Sequence, residues 1–393
     1  MKNKILMISP EPFYQPRGTP ISILHRIKAL SKLGYKIDLL AYHIGGDVKI
    51  KNMKVYRIPD MPLIKNIKIG PSYTKILLDF FLLSKAISLS RKNKYDFIHA
   101  HEEACFIGII LKKMFRIPLI YDMHSSMPQQ LANYNFSKNI FITGFLRWLE
   151  KKSVKNSDAV IVISPHLKHI ADSIEAGKSV LIENMAVFDN KAAKKDVFNL
   201  KRKLKLKNEK VIMYTGTFEV NQGLDLLIGT VPIVLKFSKN VKYVLVGGEK
   251  NQIEKLKELA DKLNVSEYVI FTGQKSEKEI PSCLAIADVV VSPRSKGTNT
   301  PLKIYSYLKS GKPIVATDIY SHTQVLNKNV AVLTKLDESS FADGIIKLLK
   351  DNVLRKKLST NSKKLGRSSY SYEEYINKTK LLYDSVWSQS GTL

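Results

Sequence analysis

Short runs that are apolar at every position alternate with amphipathic stretches along most of the chain. Ile5-Leu-Met-Ile8 and Val289-Val-Val291 are runs of the first kind, as expected of strands covered on both faces of a parallel sheet. Between them apolar residues recur at three-to-four spacing, for example Ile21, Leu24, Ile27 and Leu30, the spacing of one helix face. This pattern predicts strands over 4–9, 36–42, 54–58, 97–100, 118–121, 159–164 and 180–182 in the first half. In the second half it predicts 211–216, 242–247, 269–272, 289–292, 314–317 and 330–333. Strand-helix alternation of this kind implies α/β architecture with two Rossmann-like, doubly wound sheets. No internal repeat of solenoid period is present. Residues 188–208, with Lys191-Ala-Ala-Lys-Lys195, read as a linker and an entry helix. The expected division is therefore 1–190, 191–369 and a C-terminal helical segment 370–393.

Composition narrows the class. The 393 residues are too many for one ordinary core, and 44% hydrophobic with 25% charged residues is the balance of a soluble globular protein. Cys105 and Cys283 are the only cysteines, which excludes a disulfide framework and points to a reducing compartment. The opening apolar run, Ile5 to Ile8, is too short for a signal peptide, and no stretch reaches the roughly 18 apolar residues of a membrane span. A cytoplasmic location is expected. Net charge is +28, and residues 1–120 alone hold 21 basic against 8 acidic side chains. No aromatic platform interleaves with the basic residues, so nucleic acid is not the expected partner; an anionic membrane surface or a lipid phosphate suits the charge better. The run Ile76 to Ile87, with Lys65, Lys68 and Lys75 before it and Arg91, Lys92 and Lys94 after, has two readings: an interfacial helix peripheral on the inner membrane face, or a helix packed between sheets.

Candidate chemistry concentrates in Ser292 to Thr317. Thr300 is placed to cap a helix, Pro301 to occupy its first position, Gly311 to end it and Pro313 to prevent its continuation. A helix N-terminus then faces a loop carrying Gly297, with Lys303 in its first turn and Arg294 just upstream. A lysine in that turn opposes the helix dipole, so an anion such as a diphosphate is the natural explanation. In the first half His99, His101, Glu102, Glu103 and His124 follow predicted strands directly, where ligands of open parallel sheets bind. His99, His101 and Glu103 could alternatively share a face and bind a metal.

The 292–317 segment, together with Ser157-Asp-Ala-Val-Ile-Val-Ile-Ser164, Tyr214-Thr-Gly216, Leu245-Val-Gly-Gly248, Phe271-Thr-Gly273 and Ala287-Asp-Val289, resembles glycosyltransferase family 4 in order and spacing. The resemblance implies the GT-B fold, two Rossmann-like domains facing a cleft, and transfer of a sugar from a nucleotide-diphosphate sugar with retention. It implies no metal cofactor, a lipid-linked or cell-surface glycan acceptor, and a last helix that crosses back to the first domain. Carried onto this chain, the donor-binding positions are Gly18, Gly216, Gly248, Gly273, Gln274, Thr298, Asn299, Thr300 and Ser306. Arg294 and Lys303 would meet the diphosphate, His124 the sugar, and His101, Glu102 or Glu103 the acceptor. The chain departs from the pattern at four positions: Thr298 and Ser306 stand where the family has two glutamates, and Thr217 and Gln222 where it has an arginine and a lysine. A serine cannot grip a ribose diol with two acceptor oxygens as a carboxylate does. Two other readings remain for such a chain: a sugar-nucleotide epimerase of the same fold, or a degenerate subunit without catalysis.

Overall fold

The computed structural model describes residues 3–15, 18–65, 67, 72–129, 140–186 and 192–390. Lys68, one of the lysines before the 76–87 run, and the expected boundary at 190 lie outside these. The chain forms two compact units, Met1–Glu183 together with Glu373–Leu393, and Asn184–Tyr372.

In chain order the first unit contains β1 (Lys4–Ser9), α1 (Gly18–Lys32), β2 (Lys36–Ala41), β3 (Met53–Arg57), α2 (Tyr73–Lys92), β4 (Phe97–His101), α3 (Cys105–Phe115), β5 (Leu119–Met123), α4 (Ile140–Asn156), β6 (Ala159–Val162), α5 (Pro165–Ile174) and β7 (Ser179–Leu181). The second follows with α6 (Lys194–Lys203), β8 (Lys210–Thr215), α7 (Leu224–Phe237), β9 (Val241–Val246), α8 (Lys250–Lys262), β10 (Val269–Gly273), α9 (Ile280–Ile286), β11 (Val289–Ser292), α10 (Leu302–Ser310), β12 (Ile314–Thr317), α11 (Tyr320–Thr323), β13 (Ala331–Thr334), α12 (Glu338–Lys350) and α13 (Asn352–Ser368). The final helix, α14 (Tyr372–Ser390), packs in the first unit.

Each unit is built on one parallel sheet, seven strands in the order β3-β2-β1-β4-β5-β6-β7 and six in the order β10-β9-β8-β11-β12-β13. All thirteen predicted strands form, with ends displaced by no more than two residues. They form because their residues are apolar on both faces: Ile5, Leu6, Met7 and Ile8 in β1 and Val289, Val290 and Val291 in β11 are all fully buried. In both sheets the strand order reverses between the first strand and its neighbour, β1 beside β4 and β8 beside β11. Such switch points open a crevice beyond the carboxyl ends of the strands, and they place the site of each unit.

One boundary differs from expectation. The helix after β11 begins at Leu302, with Pro301 as its cap at φ −63°, ψ 137°. Proline's fixed φ suits the cap as well as the first turn, and the Pro301 carbonyl already accepts from the Ile304 amide at 3.0 Å. Thr300 therefore does not cap this helix: its hydroxyl is buried without a hydrogen-bond partner among the described residues. The far end is as expected, with Gly311 left-handed at φ 68° and its amide bonded to the Leu308 carbonyl.

Candidate functional site

In the second unit the site is assembled from the loops after β8 and β11. Gly216 ends β8 with φ 145°, and a Cβ there would lie 2.9 Å from Lys303 Cε and 3.0 Å from its Nζ. Only glycine admits Lys303 at this distance. The lysine extends from the first turn of α10, donates to Gln222 Oε1 at 2.8 Å and lies over the Tyr214 ring, 3.7 Å from its centroid. Tyr214 in turn donates its hydroxyl to the Thr217 carbonyl at 2.7 Å, holding the loop that carries Gln222. Lys303 is buried, and no carboxylate pairs with it among the described residues. Burial, then the nearby Arg294 guanidinium, hold its ammonium well below the ordinary lysine range.

Arg294 caps the other side of the loop, donating from Nε to the Lys296 carbonyl at 2.6 Å. A Cβ on Gly297 would meet the end of its guanidinium, which can swing aside, so it is the backbone at φ 131° that calls for glycine here. The base of the loop is tied by residues outside the sequence motif. His322 on α11 bonds Ser292 Oγ at 2.9 Å, and Thr317 donates to the Arg294 carbonyl at 2.5 Å. His322 is buried and its pKa is pushed down to about 3, chiefly by that burial, so it serves as a neutral strut. Gln324 Nε2 donates to the Thr298 carbonyl at 2.6 Å; Thr298 and Asn299 are half-buried and Ser306 is buried on α10.

The remaining glycine turns divide. Gly216 and Gly247 follow β8 and β9 and Gly273 ends β10, with the Gly216 amide bonded to the Val246 carbonyl and that of Gly247 to the Gly273 carbonyl. At Gly248 a Cβ would strike the Phe218 ring at 2.3 Å, so internal packing accounts for this glycine. Gly273 has open space at its Cα, and Gln274 beside it is exposed.

In the first unit a buried polar chain runs beneath the ends of β4 and β5. Asp122 Oδ2 accepts from Arg26 Nε at 3.1 Å and faces His99 Nε2 at 3.1 Å. Its Oδ1 lies 3.3 Å from His124 Nε2, and that nitrogen is 3.1 Å from His101 Nδ1. Burial lowers all three histidines, while Asp122, which burial alone would raise, is held well below the usual carboxylate range by Arg26, His124 and His99. The chain is thus an ion pair among neutral imidazoles. Gly18 begins α1 and is exposed with open space beside it.

The metal set considered from sequence is corrected here. Glu103 turns away from the histidines, because it bonds Lys75 Nζ at 2.8 Å. Asp122 replaces it, and His99, His101 and Asp122 bring one ligand atom each within 4.8 Å of one another. A divalent ion fits this set poorly, since the one carboxylate is already neutralised by the buried Arg26 guanidinium and added charge would go uncompensated. Glu102 and Glu103 also separate. Glu102 is buried at φ 49°, accepts from Ser125 Oγ at 2.9 Å and is pushed well above the usual range by burial and then by Glu103. Glu103 is half-exposed and belongs to the Lys75 cluster with Glu11. Sequence reasoning missed Asp122, Arg26, Tyr214 and His322; Asp122 at the end of β5 was the one with a visible signal, a carboxylate in an otherwise apolar strand.

Two Rossmann-like units, each built on one parallel sheet, are the architecture of the GT-B class, and the second carries a buried lysine at the start of α10. Residues 196–365 match the family described as Glycosyl transferases group 1, and residues 16–185 match Glycosyltransferase Family 4. The chain belongs to glycosyltransferase family 4. It is similar to an uncharacterized glycosyltransferase of Methanocaldococcus jannaschii, 25% identical over 99% of this chain and 100% of the relative. It is also similar to a phosphatidyl-myo-inositol mannosyltransferase of Mycobacterium tuberculosis, 22% identical over 90% and 89%. Among solved structures, sucrose-phosphate synthase from Thermosynechococcus elongatus superposes with a TM-score of 0.80 at 18% identity over 99% of this chain and 100% of that one. Anabaena HepE in complex with UDP and glucose superposes with 0.76 at 18% identity over 98% and 100%.

Proposed function

We propose that the protein is a retaining glycosyltransferase that takes its sugar from a nucleotide-diphosphate donor and adds it to a lipid-linked or cell-surface glycan precursor. The observation that carries the reading is Lys303, whose buried amino group at the start of α10 has an amide and an aromatic ring for company and no carboxylate among the described residues. Burying such a group without an anion is costly, and a diphosphate supplies one. Arg294, Lys303 and the α10 N-terminus stabilise the charge that develops on the leaving diphosphate, where preorganised donors contribute most. In this role they stand in place of a metal ion, so no metal cofactor is required. Thr298, Asn299, Ser306, Gly273 and Gln274 complete the donor site, His124 contacts the sugar, and His101 and Glu102 serve the acceptor side.

A nucleotide donor is supported by HepE, whose structures hold UDP, and a lipid acceptor by the phosphatidylinositol mannosyltransferase. Surface chemistry of the first unit supports a membrane-borne acceptor. Helices α2, α3 and α4 pack side by side, and large apolar residues stand exposed on each: Ile76, Leu77 and Phe80, then Ile110 and Met114, then Phe141, Phe145 and Trp148. Lys113, Arg147, Lys151, Lys152 and Lys155 are exposed on the same helices. No helix among the described residues is long and apolar enough to cross a membrane. The α2 segment packs through one stripe, with Leu78, Leu82 and Ala86 fully buried, and the exposed Ile76, Leu77 and Phe80 on its other side support the interfacial reading.

The test is a thermal-shift panel of uridine, guanosine and adenosine diphosphates and their sugars, followed by turnover of the sugar that binds. Stabilisation by one nucleotide series, transfer only in the presence of acceptor, and a product of unchanged anomeric configuration are expected. Turnover without acceptor would identify an epimerase, and no nucleotide binding a degenerate subunit.

A further inference from the structure

Helix α14 docks on the first unit through polar contacts as well as apolar ones. Leu382 and Val386 are buried by it, yet it also stacks Tyr375 4.8 Å from the Arg26 guanidinium and accepts from Arg26 Nη1 through Thr379 Oγ1 at 3.2 Å. Its Tyr383 hydroxyl lies 2.6 Å from His99 Nδ1, fully buried. Docking alone would be served by phenylalanine at this position. The hydroxyl does something that a ring cannot.

His99 Nε2 faces the ionised Asp122 at 3.1 Å, so it must carry a proton; a bare nitrogen there would set two lone pairs against each other. Held neutral by its burial, His99 then has a bare Nδ1, and Tyr383 is the donor to it. This leaves Asp122 with Oδ2 engaged by Arg26 and His99, and with Oδ1, which makes no aligned hydrogen bond, facing His124 Nε2 at 3.3 Å. Without the hydroxyl the buried Nδ1 of His99 is an acceptor that has lost its donor, and Asp122 alone is left to hold the proton on Nε2. Asp122, still anchored on Oδ2 by Arg26, then has a less firmly fixed donor in His99 to orient it against the His101 and His124 pair, whose rings meet at 3.1 Å.

We propose that Tyr383 is a positioning residue: from the C-terminal helix it fixes the tautomer of His99, which orients Asp122, which sets the ring orientation of His124. The order of groups is Tyr383, His99, Asp122, His124, with Arg26 anchoring the carboxylate and Thr379 anchoring Arg26. The last helix thereby acts on the transfer step without touching substrate. This rests on the assignment of His124 to the transferred sugar.

The experiment compares the parent, Tyr383→Phe and Trp387→Leu, the last removing an apolar contact of the same helix, the Trp387 ring lying 5.8 Å from Phe97, outside the chain of histidines. Imidazole 15N shifts report the tautomers, and steady-state kinetics separate kcat from the donor KM. In the parent His99 carries its proton on Nε2; in Tyr383→Phe a mixture appears and kcat falls about three- to tenfold with donor KM within twofold, a loss on the scale of one hydrogen bond. Trp387→Leu lowers the melting temperature and leaves the tautomers alone. A proton found on His99 Nδ1 in the parent overturns the proposal whatever the variants do, as does a Tyr383→Phe protein with unchanged tautomer and kcat. A changed tautomer with intact kcat upholds the relay and removes His124 from the transfer step instead.

Discussion

Lys303 is the residue on which the proposed donor site turns, and its burial makes a prediction that a surface lysine would not. Burial, with Arg294 adding to it, favours the neutral amine in the unliganded protein, whereas a bound diphosphate favours the ammonium. Nucleoside diphosphate binding is therefore expected to take up a proton at pH values above the depressed pKa, and affinity to fall as pH rises; calorimetry in buffers of different ionisation enthalpy reads this directly. Lys303→Met keeps the stem and removes the charge-assisted contact, worth about 1.5–3 kcal/mol, so affinity should drop roughly ten- to a hundredfold with the fold intact. Arg294→Ala should act similarly, and the pair non-additively if both meet one diphosphate. Ser306→Glu restores an acid one turn beyond Lys303 and is expected to retain or strengthen binding. Unchanged affinity in both Lys303→Met and Arg294→Ala, measured well enough to see a threefold shift, would mean that the donor is held elsewhere. Both cations were legible in the sequence because they sit in one short motif. What was not legible is that Lys303 fills the space against Gly216 and Gln222, since 81 residues separate the lysine from that glutamine.

At the scale of elements, the strands were readable because parallel strands buried on both faces are apolar at successive positions, a local property. The start of α10 was not, because proline's φ is compatible with either the cap or the first turn and the choice falls to the loop around it. The histidine chain was readable only in part for the same reason of distance: Arg26, His99, Asp122 and Tyr383 come from α1, β4, β5 and α14, and only the fold brings them together. Helix α2 carries a further case. Asp79 accepts from the Tyr42 hydroxyl at 2.6 Å, and burial, followed by the Glu103 carboxylate, pushes its pKa up to about 7. A carboxyl raised in the folded state stabilises most below its unfolded pKa, and that contribution is lost as pH rises through about 7. Asp79→Asn still accepts from Tyr42 but cannot ionise. Its melting temperature should exceed that of the parent at pH 8 and match it at pH 4; an equal or lower value at pH 8 would show that the charged form is well accommodated.

For the whole molecule the question is where an excess of 28 positive charges acts. Part of it belongs to the proposed donor site, where two cations would take the place of a divalent ion: a chelator should leave nucleotide affinity and transfer unchanged, and activity restored by magnesium or manganese would overturn that proposal. The larger part lies on surfaces. The first unit combines a basic surplus with exposed Phe141, Phe145 and Trp148 on α4, where the two last rings stack at 5.9 Å and Lys152 stands 5.6 Å over the tryptophan. Aromatic residues ringed by lysine suit a membrane interface, the rings entering the headgroup layer while the ammonium groups meet anionic lipid. Sedimentation with vesicles separates the two contributions. Binding to anionic vesicles should be strong at low salt and released at high salt, because the Debye length shrinks from ~10 Å at 0.1 M to ~3 Å at 1 M. Phe145→Ser with Trp148→Ser should weaken it at every salt concentration, and Lys151→Glu with Lys152→Glu chiefly at low salt, while neither pair should alter affinity for the nucleotide, whose proposed site is in the other unit. Equal binding to neutral vesicles would remove the anionic lipid and leave the rings alone, whereas binding to none would remove the membrane from the proposed function and leave a soluble acceptor.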